Sequence, residues 1–390
     1  MKSKTVLLIN AEGVQTLCIA RSLRNLGFKV VGFCNHRCSS GYVTRYLDKR
    51  YKVPDIGSYP EQFRDYLFAF LQKRPVDLII PLADDGASFL SKNKERIEKE
   101  FNTICAVPSF ATFDMAGDKQ RLMELCERIG TDHPRTRGLT LDNLNEVAEY
   151  VGFPAVIKPN HSQGAKGIVK AENMEDLKLK APEIMKQFGA CTLQQYIEQP
   201  GYYYNVMIYR NGAGEVAGST VIKIRRYFPL KGGSSCYCET VSNSQLVDQC
   251  RFVLEKLNWQ GFADFDVLED IHTGKMNIIE INPRVPSSLQ AAFAAGIDFG
   301  KCFVSDYLYQ INTEFVYKEN QQIRWMGLDV MWFLFSHDRF RFKPSWFRFF
   351  GRNVSYQDGS LRDPLPMIAG MMAGVLKYLN PGFRKAKLKQ

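Results

Sequence analysis

GFADFDV (residues 261–267) and MNIIEINPR (residues 276–284) are the two stretches from which the fold of this chain can be worked out. Each reads as a β-strand, and the glycine-containing turn between them predicts a hairpin. Because side chains two residues apart share one face of a strand, we expect Asp266, Glu280 and Asn282 to lie on a common face. Three oxygen donors on an open face suit Mg²⁺, which keeps waters and takes its other ligands from phosphates. The hairpin therefore predicts a magnesium site.

The simpler alternative for this hairpin is a solvated sheet edge, with Ile279 and Ile281 on its buried side. That alternative gives no reason for the Asn-Pro-Arg ending at residues 282–284. We therefore favour the metal site.

A second chemical signal lies about a hundred residues earlier, where PAVIKP (154–159) places Lys158 at the end of a strand. The segment that follows, HSQGAKGI (161–168), contains two glycines. Glycine frees backbone amides to surround phosphate oxygens, and a nearby lysine adds positive charge. Such a loop is more often an ordinary turn between two strands, so phosphate binding and a plain hairpin both stay open.

The first hundred residues alternate strand and helix patterns. Apolar strands are predicted at 6–10, 28–33 and 76–80, and amphipathic helices at 17–26 and 63–71. This βαβαβ order predicts a parallel sheet with right-handed crossovers. The first strand is not followed by the Gly-x-Gly-x-x-Gly turn that lets a pyrophosphate approach a helix, which argues against a dehydrogenase.

The strand at 76–80 runs into PLADD (81–85), at the carboxyl edge of the predicted sheet. Ligands of open α/β sheets bind at this edge. Asp84 and Asp85 could equally cap the helix that follows them. The sequence leaves both interpretations open.

The composition is that of an ordinary globular protein, with 45% hydrophobic and 24% charged residues and a formal charge of +10. A length of 390 residues suffices for two or three domains. No stretch reaches the roughly 18–20 uninterrupted apolar residues of a membrane span. Ten cysteines without a Cys-x-x-Cys pair favour buried thiols in a reducing compartment. The amino terminus reads as a first strand rather than a secretion signal, so we expect a cytoplasmic protein.

Most of the positive charge lies near the carboxyl end. Residues 331–390 contain eleven basic and three acidic side chains, and nine of the twenty residues from 331 to 350 are Phe or Trp. Such a mixture packs a subdomain onto a core more often than it binds a membrane surface, a lipid-linked acid or single-stranded nucleic acid. We favour packing, and the nearly neutral remainder of the chain argues against nucleic acid.

Together these motifs resemble the ATP-grasp superfamily, in its carbamoyl-phosphate-synthase-like, carboxylate–amine ligase branch. The resemblance rests on EINPR (280–284), VIKP (156–159), the glycine-rich loop, LQQYI (193–197) and the Asp-Lys-Gln helix start around Lys119. It covers roughly the first three hundred residues. The basic aromatic tail resembles that of cell-envelope amino-acid ligases such as D-aspartate ligase.

The resemblance implies a combined α/β and α+β fold with three parts. A Rossmann-like parallel-sheet domain would occupy residues 1–113, and an ATP-grasp domain residues 114–310. Within the second part, a lid would lie at about residues 150–198 beside an antiparallel sheet. A basic, aromatic-rich extension would fill residues 311–390.

The resemblance also implies roles for individual residues. Asp266, Glu280 and Asn282 would hold Mg²⁺ or Mn²⁺, with Glu280 bridging two ions. Arg284 would steady the transferring phosphoryl group or an acyl phosphate. The residues implied in ATP binding are Lys119 and Lys158 at the phosphates, Ser162, Gly164, Lys166 and Gly167 in the lid loop, and Gln194, Gln195, Tyr196, Ile197 and Glu198 around the base and ribose.

Arg226 lies in a basic strand that is followed by a glycine turn, and the resemblance assigns it to the carboxylate substrate, because in relatives the comparable loop helps to hold that substrate and a guanidinium can bind a carboxylate through two hydrogen bonds. The alternative is a strand with one solvated basic face. Relatives usually carry an acidic residue after the hinge for the ribose hydroxyls. Here GYYYN (201–205) offers tyrosines instead, with Glu198 the nearest carboxylate, which leaves the nucleotide preference open.

The implied function is an ATP- and Mg²⁺-dependent ligase that activates a small carboxylate as an acyl phosphate and joins it to an amine. Two other functions stay open: a nucleotide-binding protein without turnover, and a membrane-surface or nucleic-acid adaptor that uses the tail. The residue types identify neither substrate. Family members are often homodimers, and peripheral contact with the inner membrane surface is a further expectation.

Overall fold

The computed structural model describes residues 3–161, 166–230 and 232–379, and at residues 373–379 it describes the backbone only. Its elements build one parallel sheet and two sheets of largely antiparallel strands. This mixed α/β architecture agrees with the sequence patterns. Within the described ranges, no helix is long and apolar enough to cross a membrane.

The amino-terminal part is a five-stranded parallel sheet in the order β3-β2-β1-β4-β5. Its elements are β1 (Thr5–Ile9), α1 (Gln15–Asn25), β2 (Lys29–Cys34), α2 (Ser40–Val43), β3 (Lys49–Lys52), α3 (Pro60–Lys73), β4 (Leu78–Pro81), α4 (Asp84–Phe101) and β5 (Ile104–Cys105). Residues 6–9 of β1 are fully buried, as expected where crossover helices cover both faces. The sequence patterns missed β3 and β5, which are short and carry no apolar run.

The middle part is a four-stranded antiparallel sheet in the order β6-β9-β7-β8. Its elements are α5 (Phe110–Gly117), α6 (Lys119–Ile129), β6 (Thr136–Leu139), α7 (Leu144–Val151), β7 (Ala155–Pro159), β8 (Val169–Ala171), α8 (Met174–Phe188) and β9 (Cys191–Gln195). The Asp118 side chain accepts a hydrogen bond from the backbone N–H of Arg121 at 3.0 Å and so caps α6. This cap places Lys119 at the first residue of the helix.

The largest sheet has seven strands in the order β14-β13-β10-β11-β12-β15-β16. Its elements are β10 (Tyr203–Arg210), β11 (Val216–Phe228), β12 (Ser234–Val241), α9 (Ser244–Lys256), β13 (Gly261–Glu269), β14 (Met276–Asn282), α10 (Gln290–Ala294), α11 (Phe299–Val304), β15 (Gln322–Arg324), α12 (Met326–Phe335) and β16 (Val354–Tyr356). β13 and β14 pair as the predicted hairpin.

The last described helix is α13 (Leu365–Leu379), which packs against α2. The Ser40 hydroxyl donates a hydrogen bond to the backbone carbonyl of Pro366 at 3.0 Å. Farther back, Trp332 on α12 is 5% exposed and packs with Phe228 and Cys236. The carboxyl-terminal segment therefore contacts both the parallel sheet's helices and the seven-stranded sheet.

One continuous apolar core joins the parallel sheet to the seven-stranded sheet. It includes Val6 and Ala20 from β1 and α1, and Ile222 and Phe299 from β11 and α11. The amide of Ala11, just after β1, donates to the carbonyl of Phe33. This shared core holds the carboxyl edge of the parallel sheet beside the β13–β14 hairpin.

Candidate functional site

Two carboxylates face each other on the β13–β14 hairpin. The strand register pairs Asp266 with Glu280, and Asp264 with Asn282. Burial, and then the negative charge of Glu280, raises the pKa of Asp266 to about 7. A pair of acids this close repels when both are ionised. The negative charge of the hairpin therefore favours the binding of a cation.

Amide side chains hold Asp266 in place. Asn205 lies opposite Asp266 on β10, and its Nδ2 donates a hydrogen bond to Oδ1 of Asp266. Asn282 donates from Nδ2 to Oδ2 of the same carboxylate at 3.4 Å. Asn205 is a site residue that the sequence patterns missed, because no local signal indicates that β10 lies beside β13.

Two lysines approach these carboxylates from the four-stranded sheet and its helix. Nζ of Lys119 lies 3.4 Å from Oε2 of Glu280, and the Lys119 side chain is 5% exposed. Nζ of Lys158 donates to Oε1 of Gln194 at 2.5 Å. Burial lowers the pKa of Lys158 to about 8, and the negative charge of Glu280 opposes that shift while Lys119 adds to it. The structure thus brings together Lys119, Lys158, Gln194, Asp266 and Glu280.

Arg284 connects this cluster to the parallel sheet. Its Nε lies 3.2 Å from Oδ1 of Asp84, and its Nη1 lies 3.4 Å from Oδ2 of Asp264. Asp264 is 2% exposed, and its Oδ1 has no hydrogen-bond partner among the described residues. Burial and the charge of Asp266 raise the pKa of Asp264 well above its usual range.

The segment 194–198 links the four-stranded sheet to the hairpin turn. The backbone N–H of Gln195 donates to the carbonyl of Arg135 at 2.8 Å, and that of Tyr196 to the carbonyl of Pro154 at 3.2 Å. Ile197 is buried. Glu198 is exposed, and its Oε2 lies 3.1 Å from Nε2 of His272 on the β13–β14 turn.

The glycine-rich loop is described only in part. Ser162 and Gly164, two of the residues expected to contact ATP, lie outside the described residues. Lys166 is exposed. Gly167 has φ +75°, and a Cβ atom there would lie 2.7 Å from the Phe188 ring and 2.8 Å from Pro159. Only glycine fits this position, which keeps the described end of the loop against β7.

Arg226 is not part of this cluster. Its side chain is 1% exposed, Nε donates to Oδ1 of Asp329 at 2.7 Å, and Nη2 donates to Oδ2 at 2.9 Å. The guanidinium also lies over the rings of Tyr237 and Trp332. Because Nε and Nη2 of Arg226 already donate to Asp329, this buried guanidinium cannot form two hydrogen bonds with a carboxylate substrate. This corrects the assignment of Arg226 from its sequence context.

The side chains present fit a divalent ion that is completed by other ligands. Within the described residues, no group of three or more His, Cys, Asp or Glu side chains is arranged to hold a metal. The hairpin offers two carboxylates and the amide of Asn282. Mg²⁺ accepts such a partial set when phosphate oxygens and waters supply the rest.

Comparisons with known proteins cover the same residues. Residues 116–288 match the ATP-grasp domain family. The chain is 22% identical over 290 residues to the D-aspartate ligase of Enterococcus faecium, and the match covers 66% of each chain. The chain spans between 22% and 66% of the length of the curated relatives it matches.

Two solved structures share the fold. One is a complex of biotin carboxylase from Campylobacter jejuni with β,γ-ATP, at a TM-score of 0.68 and 18% identity over 81% of this chain and 74% of that one. The other is the biotin carboxylase domain dimer of Hydrogenobacter thermophilus 2-oxoglutarate carboxylase with MgADP. Its TM-score is 0.66 and its sequence identity is 17%, over 83% of this chain and 74% of that one. The family match includes both lysines, the hairpin carboxylates and Arg284. Residues 116–288 of this chain are therefore an ATP-grasp domain.

Proposed function

We propose that the chain is an ATP- and Mg²⁺-dependent carboxylate–amine ligase that releases ADP and phosphate. The observation that carries the proposal is the convergence of Lys119 and Lys158 on the Asp266–Glu280 pair. These residues lie on α6, β7, β13 and β14, far apart in sequence. Opposite charges gathered in one cluster from two sheets suit a polyphosphate with its cation.

The proposed metal ligands are Asp266, Glu280 and Asn282, for Mg²⁺ or Mn²⁺. Burial, and then the negative charge of Glu280, raises the pKa of Asp266, so a bound divalent ion would favour its ionised form. A divalent ion held by these residues would supply positive charge to the transferring phosphoryl group. Asn205 donates a hydrogen bond to one carboxylate oxygen of Asp266, and Asn282 donates a hydrogen bond to the other.

The proposed nucleotide site runs from the lysines to the segment 194–198. Lys119 and Lys158 would bind phosphate oxygens, and the loop 162–167 would cover them. Backbone groups of residues 194–197 would bind the adenine edge, with Glu198 near the ribose. The hydrogen bond from Lys158 to Gln194 supports this arrangement, because it places the proposed phosphate-binding lysine beside the segment proposed to bind adenine.

In the proposed reaction, a substrate carboxylate takes the terminal phosphoryl group of ATP and ADP leaves. An amine nitrogen then attacks the acyl carbon, the phosphate departs with the electrons of the C–O bond, and the amine loses a proton. The side chain of Arg284 contacts Asp84 and Asp264 but is 22% exposed, so it would face the negative charge of the acyl phosphate. Positioning and charge neutralisation account for most of the acceleration in such reactions.

The test is ADP release from the purified full chain with Mg²⁺ and ATP, screened against amino acids and small carboxylates in pairs. We expect one pair to give ADP release, and Glu280→Gln to remove it. Glu183→Gln, which changes an exposed carboxylate on α8, is the matched control. Nucleotide binding without ADP release from any pair would instead favour a binding protein without turnover.

The domain boundaries are part of the same proposal. We propose a Rossmann-like domain at 1–113, an ATP-grasp domain at 114–310 with a lid at about 150–198, and an extension at 311–390. The parallel sheet that ends at β5 supports the first boundary. A homodimer is proposed from the dimeric structure with the same fold, and light scattering of the purified chain would test it.

A second candidate role concerns attachment, and we propose that the extension contacts an anionic membrane surface from the cytoplasmic side. Phe340, Phe347 and Phe350 are 72%, 56% and 88% exposed. The extension also carries most of the net positive charge, and anionic lipids attract such surfaces. Sedimentation with phosphatidylglycerol vesicles should retain the chain, and the double variant Phe347→Ser/Phe350→Ser should release it. Leu141→Ser, at a 57% exposed position in the middle part, is the control.

A further inference from the structure

Three polar side chains lie together on one face of the four-stranded sheet. Thr136 on β6 pairs with Gln194 on β9, and Gln194 pairs on its other side with Val156 on β7. Lys158 is two residues beyond Val156, so it shares the same face. Thr136, Gln194 and Lys158 are 2%, 2% and 7% exposed, so they must find their hydrogen-bond partners within the protein. We call these three residues the buried relay.

Three hydrogen bonds connect the buried relay to the backbone. The hydroxyl of Thr136 donates to the carbonyl of Pro134 at 2.9 Å. Nε2 of Gln194 donates to Oγ1 of Thr136 at 3.0 Å. Nζ of Lys158 donates to Oε1 of Gln194 at 2.5 Å. The relay therefore runs from a backbone carbonyl to an ammonium group.

The direction of these bonds is set at the Pro134 end. A carbonyl oxygen can only accept, so the single hydrogen of the Thr136 hydroxyl is used there and Oγ1 offers lone pairs to Gln194. Gln194 must then turn its NH₂ group to Thr136 and its carbonyl oxygen to Lys158. The reversed amide would place NH₂ against the ammonium, and both groups are donors. The hydroxyl of Thr136 thus decides which atom of Gln194 faces Lys158.

The Pro134 end is fixed relative to the β13–β14 hairpin. Pro134 belongs to the segment 131–135, which joins α6 to β6. In this segment the carbonyl of Asp132 accepts a hydrogen bond from the backbone N–H of Ile278 on β14 at 3.0 Å. β14 also carries Glu280 of the proposed metal site. The relay therefore connects Lys158 to a backbone segment that is bonded to the metal-site strand.

The relay leaves Lys158 able to bind an anion. A lysine ammonium has three hydrogens, and Gln194 accepts one of them, which leaves two for phosphate oxygens. Burial lowers the pKa of Lys158, and an acceptor beside the ammonium opposes that effect. An amide NH₂ group in the same place would repel the ammonium instead.

We infer that Thr136 is a positioning residue of the nucleotide site, because its hydroxyl orients the amide of Gln194 and this amide holds the ammonium of Lys158 in place for the phosphates. The inference rests on the proposed binding of phosphate by Lys158. Thr136 would not contact the nucleotide itself. Its effect on nucleotide affinity therefore depends on the presence of Lys158.

The test is calorimetric titration of the full chain with MgADP. Thr136→Val keeps the branched shape and removes the hydroxyl, and we expect it to weaken MgADP binding about tenfold. Thr136→Ser keeps the hydroxyl and should bind MgADP within about twofold of the unaltered chain. Thr140→Val, the same change at an exposed position just after β6, is the matched control and should not alter the affinity.

A double-mutant cycle separates positioning from a general effect on the fold. Lys158→Met removes the ammonium, so adding Thr136→Val to it should change the MgADP affinity by less than about twofold. A further loss of about tenfold in that background would show that Thr136 does not act through Lys158. That result would overturn the inference.

Gln194→Met interrupts the relay at its middle residue and leaves the bond from Thr136 to Pro134 in place, so it tests the inference even if Thr136→Val fails to fold. We expect it to weaken MgADP binding by at least about tenfold. Unchanged affinity in Gln194→Met would overturn the inference. Binding by Thr136→Ser that is as weak as binding by Thr136→Val would also overturn it.

The outcomes distinguish this inference from the proposed ligase. ADP release by the unaltered chain, together with normal MgADP affinity in Thr136→Val and Gln194→Met, would refute the inference and leave the ligase standing. The expected pattern of affinities, without ADP release from any substrate pair, would keep the inference and remove the ligase. Failure of the unaltered chain to bind MgADP would overturn both.

Discussion

Two buried charge clusters in this chain differ in how completely their members are paired. In the first, Arg226 and Arg324 bracket Asp329, with all three side chains at most 1% exposed. In the second, Lys119 and Lys158 lie near Asp266 and Glu280. The first cluster uses both carboxylate oxygens of Asp329. In the second, two acids repel each other and one lysine has a lowered pKa.

The comparison indicates how buried charges that stabilise the fold differ from buried charges that bind a ligand. A fully paired network is complete without any ligand, and its arginines also lie over aromatic rings of the carboxyl-terminal segment. In the second cluster burial is the largest cause of the shifted pKa values, and buried groups with shifted pKa values are typical of binding and catalytic sites. On this basis the Arg226–Asp329–Arg324 triad stabilises the fold, and the lysine–carboxylate cluster is the proposed ligand site.

The largest expected effect comes from breaking the triad. Asp329→Ala leaves two buried guanidinium groups unpaired, so we expect the free energy of unfolding to fall by about 3–5 kcal/mol. Urea denaturation followed by circular dichroism measures this. Asp338→Ala, at an exposed site in the same segment, should change stability by less than about 0.5 kcal/mol. A loss below about 1 kcal/mol in Asp329→Ala would remove the structural role of the triad.

The next effect concerns the other cluster. Glu280→Gln should lower the rate of ADP release by about 10²–10³-fold, because it removes one charge that positions the metal and phosphates. Its free energy of unfolding should fall less than that of Asp329→Ala, because the lost contact with Lys119 is partly offset by relief of the repulsion at Asp266. Paired rate and urea measurements on the same preparation check both parts. If Glu280→Gln strongly lowers the free energy of unfolding and leaves the rate of ADP release unchanged, the lysine–carboxylate cluster is structural rather than catalytic.

A smaller effect is expected from pH. Burial lowers the pKa of Lys158 to about 8, so its ammonium is charged below that pH and loses its charge above it. ADP affinity should therefore be level below the pKa and should fall by up to about tenfold per pH unit well above it. Lys158→Arg should flatten the profile, because a guanidinium stays protonated. Calorimetric titrations across this range would show a pH-independent affinity if Lys158 does not bind phosphate.

The smallest effect comes from an exposed cluster on the four-stranded sheet. Glu127 accepts hydrogen bonds from Arg137 and from the Tyr150 hydroxyl, which lower its pKa from 4.5 to about 2. A lowered carboxyl pKa adds stability above the ordinary value, and this stability is lost as the pH falls toward about 2. Because Glu127 is exposed and Arg137 and Tyr150 are only half-buried, Glu127→Gln should cost less than about 1 kcal/mol at neutral pH. A larger loss of stability would show that the exposed Glu127 contributes as much as the buried Asp329, against the comparison made above.

Local patterns were enough to predict several parts of the structure. The helix start expected around Lys119 is that of α6, which is capped by Asp118 and ended by Gly130 in the left-handed region. The hairpin around Gly274 and the pairing of Asp266 with Glu280 also follow from strand periodicity. These features depend on neighbours in sequence, so short-range rules reach them.

Contacts between distant segments were beyond such rules. Lys119 meets Glu280 only because α6 packs against the seven-stranded sheet. Arg226 sits on a strand whose partner, Asp329, lies about a hundred residues later on α12, and no local pattern reports that pairing. Asp84 offered two interpretations at a strand end, and its contact with Arg284 became visible only in the fold.

The central claim is that the lysine–carboxylate cluster binds a nucleotide together with its metal ion. Calorimetric titration of ATP into the full chain, with and without Mg²⁺, tests this claim most directly when it is repeated on Glu280→Gln. The account predicts tight binding that needs Mg²⁺ and is strongly weakened in the variant. ATP binding that is equal with and without Mg²⁺, and unchanged in Glu280→Gln, would contradict it.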